Sequence, residues 1–139
     1  MKTLRQKAEI SIRFSEVDSL RIVWHGHYVK YLEEAREAFG KTFNIGYNDV
    51  EKAGLATPII KVDIDYKRQL HYGDTAIVEA TYVDSDAAKL IFDYVIKRKS
   101  NNDIIATART IQVFLFLDSW ELSLNQPQFM LEWKAKNGF

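Results

Sequence analysis

From Tyr28 to Lys41 the chain repeats with the period of a helix: at about 100° per residue, Tyr28, Tyr31, Leu32, Ala35 and Phe39 fall within one arc. Lys30, Glu33, Glu34, Glu37 and Lys41 fall on the opposite side. The segment is an amphipathic helix whose buried face is largely aromatic, and such a face has to be covered by other elements. The two glutamates are expected to be solvated, Glu33 paired with Arg36 and Glu34 with Lys30, each pair worth only a few tenths of a kcal/mol.

The rest of the chain supplies strands to cover that face. Ala8, Ile10, Ile12 and Phe14 alternate with Glu9, Ser11 and Arg13, the period of a half-buried strand over 8–14. After a compact connection with about one helical turn near Val50–Ala53, Pro58 opens an extended segment. Over 59–67, Val62, Ile64 and Tyr66 alternate with Lys61, Asp63, Asp65 and Lys67, which predicts a strand with one wet face. Further strands are expected over 75–83, 88–98 and 104–117, separated by the polar turns His71–Asp74, Asp84–Asp86 and Ser100–Asp103. The run Val113–Leu117 is apolar on both faces, so it reads as a central strand covered on both sides, which points to a partner subunit. Pro127 suits the first position of a short terminal helix, with Trp133 packing back on the body. Strand, long helix, then four strands joined mostly by short turns make an α+β arrangement in two layers.

At 139 residues the chain fits one domain, 1–139, with a single core. Nineteen basic against 19 acidic residues leave no net charge to attract a polyanion, so nucleic acid is not an expected partner. No run approaches the roughly 20 apolar residues of a membrane span, and no apolar stretch follows the charged amino terminus, so the expectation is a soluble cytoplasmic protein. The absence of cysteine removes disulfides, thiolate nucleophiles and cysteine-ligated metals.

Chemistry concentrates just before the helix. Asp18 lies in a polar loop, and His25-Gly26-His27 follows seven residues later. The first backbone N–H groups of a helix have no partner inside it and carry the positive end of its dipole, so a developing oxyanion would be stabilised there. Gly26 would let a substrate approach the backbone, and a carboxylate with an imidazole could supply acid or base. These parts suit acyl transfer. The His-x-His pair lacks the third and fourth ligands that a metal site of this kind needs.

The residues Asp18, Ile22-Val23-Trp24-His25, Tyr28 and Glu33-Glu34-Ala35-Arg36 carry a resemblance over nearly the whole length. With Tyr66, Arg68 and Asp74 further on, the chain resembles the hotdog-fold acyl-CoA thioesterases of the 4-hydroxybenzoyl-CoA thioesterase type. It departs from their pattern at Leu20-Arg21, where one or two glycines are usual, at Phe14, where a tyrosine is frequent, and at Gln69, where a proline is common.

The resemblance implies one long helix wrapped by a curved antiparallel sheet of about five strands, with two subunits joined edge to edge and sites at their interface. It implies that Asp18 is the catalytic carboxylate, nucleophile or general base, and His25 a second catalytic-site residue. Gly26, His27 and Tyr28 would then form the oxyanion and substrate-binding backbone. The expected activity is hydrolysis of an acyl-CoA by a homodimer or homotetramer, with coenzyme A present as part of the substrate and no other cofactor or metal. Arg68, Lys97, Arg98 and Lys99 are candidates for its phosphates. The alternative is a non-catalytic hotdog protein that binds an acyl thioester or a protein partner, as the Leu20-Arg21 departure would suit. A dehydratase, which needs a histidine and a carboxylate placed across the substrate, has no motif here.

Overall fold

The computed structural model describes residues 3–139. Five antiparallel strands form the main sheet: β1 (Arg5–Ser11), β3 (Ile59–Tyr66), β4 (Thr75–Val83), β5 (Lys89–Arg98) and β6 (Ile104–Val113). Their spatial order is β1-β4-β5-β6-β3, so β1 and β3 are the edges. Helix α1 (Tyr28–Phe43) lies on one face, packed mainly across β1 and β4. A short α2 (Tyr47–Lys52) and a terminal α3 (Gln128–Lys136) complete the helices.

The aromatic stripe behaves as its period requires: Tyr28, Tyr31, Leu32, Ala35 and Phe39 are all buried. Phe39 meets Phe92 of β5 edge to face with ring centroids 4.9 Å apart. Burying a side chain of this size contributes about 1.5–3 kcal/mol. On the sheet, Ala76, Val78, Ala80, Leu90, Phe92, Tyr94 and Ile96 supply the opposing surface. Helix α1 stops where Asn44 turns left-handed at φ 59° and its N–H closes on the Gly40 carbonyl. Gly40 is needed there, because a Cβ would stand 2.7 Å from the Gly46 backbone as the chain folds back. Helix α3 is tied to the end of α1 by Trp133, whose Nε1 donates to the Phe43 carbonyl at 2.7 Å.

Four sequence expectations are corrected. Strand β1 ends at Ser11 rather than 14, because Glu16 Oε1 accepts the Arg13 N–H at 2.8 Å and bends the chain into a 3-10 turn at Phe14–Glu16. Phe14 is therefore 75% exposed, its ring resting on Tyr72. The run Val113–Leu117 is not a central strand. Strand β6 ends at Val113, Phe114 turns into the core, and β7 (Leu115–Phe116) pairs instead with β2 (Leu55–Ala56) in a separate two-stranded ladder. Its apolar character on both sides reflects this change of partner within five residues.

The third correction is that β3 is wet on both faces of the single chain: Lys61, Asp63 and Asp65 are solvated, but so are Val62 and Tyr66 on the other side. That apolar face is largely uncovered because β3 is an edge of the sheet and α1 packs mainly across β1 and β4. Finally, Arg36 turns under the helix and donates to the Tyr94 hydroxyl at 3.1 Å instead of pairing with Glu33. Among the described residues the ion pair on the solvated face is Glu37 with Lys41, and Glu34 does not pair with Lys30.

Candidate active site

The loop before α1 is a narrow two-stranded ribbon. Val17 bridges Val23, the Asp18 N–H donates to the Ile22 carbonyl at 2.9 Å, and the Trp24 N–H donates to the Glu16 carbonyl at 3.0 Å. At the tip, Arg21 donates its N–H to the Asp18 carbonyl and sits at φ 66°. This left-handed conformation favours glycine, so the loop keeps a glycine-type turn with arginine in it. The Asp18 carboxylate accepts the Leu20 N–H at 2.8 Å, which orders the carboxylate over its own turn. Among the described residues it makes no hydrogen bond to His25.

Beyond the ribbon the chain enters a 3-10 turn, His25–His27, that runs directly into α1. The His27 N–H closes on the Trp24 carbonyl at 3.0 Å and the Tyr28 N–H on the His25 carbonyl. The N–H groups of His25 and Gly26 therefore lie ahead of the first closed turn, at the positive end of the helix. Of the backbone predicted to hold an oxyanion, that of His27 and Tyr28 is committed to the turn itself. Among the described residues, the two preceding N–H groups make no backbone hydrogen bond.

Side chains gather around this entrance. Tyr66, the last residue of β3, donates its hydroxyl to the His25 carbonyl at 2.9 Å and packs its ring 5.1 Å from that of Tyr28. The Tyr28 hydroxyl accepts the Leu70 N–H at 3.3 Å, and burial raises its pKa above the ordinary tyrosine value. The Trp24 indole packs near the rings of both His25 and His27, with centroids at 5.0 and 5.5 Å. It also stands directly over Gly26, where a Cβ would meet the indole within 2.7 Å. The opening that glycine was expected to leave for substrate is filled here by tryptophan. His27 Nδ1 is buried without a partner among the described residues, and burial, with the Glu16 carboxylate beside it, pushes the Tyr31 pKa upward.

His25, Gly26, His27 and Tyr28 are thus brought together, while Asp18 lies farther out along the ribbon. Tyr66 and Trp24 belong to the same cluster. The strict alternation of 59–67 was the sequence signal for Tyr66; no periodicity pointed to the indole over Gly26. Of the basic candidates for phosphate, Arg98 is spent: it bonds Asp74 at 3.1 Å, Asp103 at 3.2 Å and the Gln69 carbonyl at 2.6 Å. Lys99 pairs with Glu9 at 3.0 Å and Arg68 lies 3.7 Å from Asp103, whereas Lys97 is exposed and has no ion pair among the described residues.

Residues 12–133 match the family model of the thioesterase-like superfamily. The chain belongs to that superfamily. It is 38% identical over 88 residues to a Bacillus subtilis protein named "Putative acyl-CoA thioesterase YneP", covering 63% of this chain and 64% of that one. It is 28% identical over 109 residues to the chloroplastic acyl-acyl carrier protein thioesterase ATL3 of Arabidopsis thaliana, covering 78% of this chain and 57% of that one. The matches thus span less than two thirds of either relative. Among solved structures, the DHNA-CoA thioesterase of Staphylococcus aureus superposes with a TM-score of 0.84 at 21% identity, over 94% of this chain and 87% of that one. The 1,4-dihydroxy-2-naphthoyl-CoA thioesterase of Synechocystis gives 0.82 at 20% identity, over 94% and 96%. The fold is the hotdog thioesterase fold. Among the described residues, no helix is long and apolar enough to cross a membrane.

Proposed function

We propose that the protein is a thioesterase that hydrolyses acyl-CoA to the free acid and coenzyme A. The observation that carries this reading is the helix entrance, where the N–H groups of His25 and Gly26 precede the first closed turn, in a chain of the thioesterase-like superfamily. The thioester carbonyl oxygen accepts from these N–H groups, which stabilise it as it becomes an oxyanion. Asp18 then acts in one of two ways. As nucleophile it attacks the carbonyl carbon, the carbon–sulfur bond breaks, the CoA thiolate leaves, and water hydrolyses the resulting anhydride. As general base it takes a proton from water, whose oxygen attacks directly. Only Oδ1 of the Asp18 carboxylate accepts the Leu20 N–H, so Oδ2 is the oxygen left for either route. His25 orients substrate or water, and coenzyme A enters only as part of the substrate, which makes the cytoplasm the expected compartment.

The working unit is a homodimer joined through β3. In the single chain this edge presents unpaired backbone groups and an uncovered apolar face of Ile59, Val62 and Tyr66. Such an edge is a liability that proteins cover. Two-fold pairing of β3 with its copy extends the sheet and shares the sites between chains.

A second reading has an observation of its own: the Trp24 indole covers Gly26 and the Asp18 carboxylate is tied to its own turn. A protein that binds an acyl thioester without cleaving it would need nothing more. Release of free CoA thiol from a panel of acyl-CoAs separates the two. Turnover on any member supports the hydrolase, and tight binding with no thiol release supports the binding protein.

A further inference from the structure

One residue of the connection between β3 and β4 fastens the helix entrance on both sides. Leu70 is fully buried, its carbonyl accepts the Val23 N–H at 2.9 Å, and its own N–H donates to the Tyr28 hydroxyl at 3.3 Å. Val23 and Tyr28 stand on either side of the turn His25–His27. The N–H groups of His25 and Gly26 therefore lie on a stretch of chain whose two ends are tied to the same residue.

Burial fixes how deep the Leu70 side chain sits, but hydrophobic contact has no direction and does not decide where the peptide groups point. Hydrogen bonds decide that. On one side of Leu70, the Gln69 carbonyl accepts Arg98 Nη2 at 2.6 Å. On the other, the His71 N–H donates to Asp74 Oδ2 at 2.9 Å, and the same oxygen accepts Arg98 Nε at 3.1 Å. The remaining nitrogen, Nη1, bonds Asp103 Oδ2 at 3.2 Å in the turn after β5.

Arg98 is well placed to hold this arrangement. It is the last residue of β5, its N–H donates to the Asp103 carbonyl at 3.0 Å, and its side chain is only 14% exposed. Three nitrogens of one plane thus meet acceptors on three separate pieces of chain, and two of those acceptors bracket Leu70. An ammonium could balance the same two carboxylates, but it has no fixed fork with which to orient the Gln69 carbonyl as well.

We propose that Arg98 is a positioning residue for thioester hydrolysis: through the Gln69 carbonyl and Asp74 it orients the peptide groups of Leu70, and through Leu70 it holds the N–H groups of His25 and Gly26 toward the oxyanion. The role rests on the thioesterase reading. It also takes Arg98 away from the phosphates of coenzyme A, because all three of its nitrogens are already bonded.

The test compares the wild type with Arg98→Ala and Arg98→Lys for kcat and KM on an acyl-CoA that the wild type turns over, and follows hydrogen exchange of the Val23 amide. Arg98→Ala should lower kcat about tenfold or more while KM stays within about twofold, because a misplaced donor costs the transition state more than the bound ester. The Val23 amide should exchange about tenfold faster or more, while amides in the centre of β4 and β5 keep their protection and show that the protein is folded. Should Arg98→Ala fail to fold, Arg98→Lys, which keeps a charge between the two carboxylates but lacks the fork, should show the same loss of kcat and the same faster exchange. An unchanged kcat in a folded variant overturns the assignment. A raised KM with kcat preserved gives Arg98 to the phosphates and overturns it as well. A lower kcat with Val23 exchange unaltered excludes the route through Leu70. A wild type that binds acyl-CoA and releases no thiol removes the hydrolase; faster exchange in the variant then keeps the fastening of the entrance, and unaltered exchange removes both.

Discussion

The phenol of Tyr66 donates a 2.9 Å hydrogen bond to the carbonyl of His25, so the last residue of the sheet's edge strand holds the first residue of the helix entrance. Whatever shifts the edge strand is thereby felt at the helix entrance. Tyr66→Phe removes this hydroxyl and leaves the ring contact with Tyr28. Losing one hydrogen bond of about 1 kcal/mol should reduce kcat/KM about fivefold with little change in Tm. Equal kinetics in the two proteins would show that the contact has no part in catalysis.

Asp18→Asn keeps the size of the side chain and its ability to accept the Leu20 N–H, while removing charge and basicity. Hydrolysis should fall on the order of a hundredfold or more with the fold unchanged. A folded variant with near-normal turnover would mean that another group does the chemistry.

The two histidines differ in setting: His25 is exposed beside Tyr66, whereas His27 has a buried, unpartnered Nδ1 against Trp24. His25→Ala should cost more activity than His27→Ala on the same acyl-CoA. The reverse order would assign the orienting role to His27.

A charge on the uncovered face of β3 should separate the subunits and abolish turnover together. Val62→Asp is suitable because Val62 is exposed on that face and the strand's backbone pairing with β6 does not depend on its side chain. Light scattering during the assay provides the measurement. A well-folded monomer with full activity would refute shared sites.

The anchorage of α3 should weaken in acid. Lys134 reaches Asp84 at 2.9 Å, and its hydrogen bond holds the Asp84 carboxyl below its ordinary pKa. A carboxyl depressed by folding stabilises the fold above its unfolded pKa of about 4, and that contribution is lost as pH falls through the lower folded value. Because Asp84 is substantially exposed, the effect is small. Asp84→Asn should lower Tm by about 1–3 °C at neutral pH, the difference disappearing near pH 2. A constant difference across that range would exclude the ionic contribution.

The pattern of 28–41 was sufficient to identify the helix and its buried face, because a 3.6-residue period depends on nothing outside the segment. Alternation likewise located β3 and β5, and the motif around Asp18 and His25 was readable as a family likeness. The ends of elements were less legible. Phe14 continues the alternation of β1, yet a single side-chain bond from Glu16 to the Arg13 N–H takes it out of the sheet. Val113–Leu117 has the composition of a covered strand, yet it changes partner at Phe114.

What the sequence determined by itself was the place of α1 and of most strands of the main sheet, the buried face of α1 and the gathering of titratable groups before the helix, all of which follow from local period and spacing. Tertiary structure alone decided which N–H groups at the helix entrance remain open, that an indole covers Gly26, that β3 is an edge with its apolar face bare, and that Arg98 bonds on both sides of Leu70. Those outcomes depend on contacts between residues as far apart as Thr57 and Gln112 or His25 and Tyr66, and such contacts exist only once the strands have taken their order in the sheet.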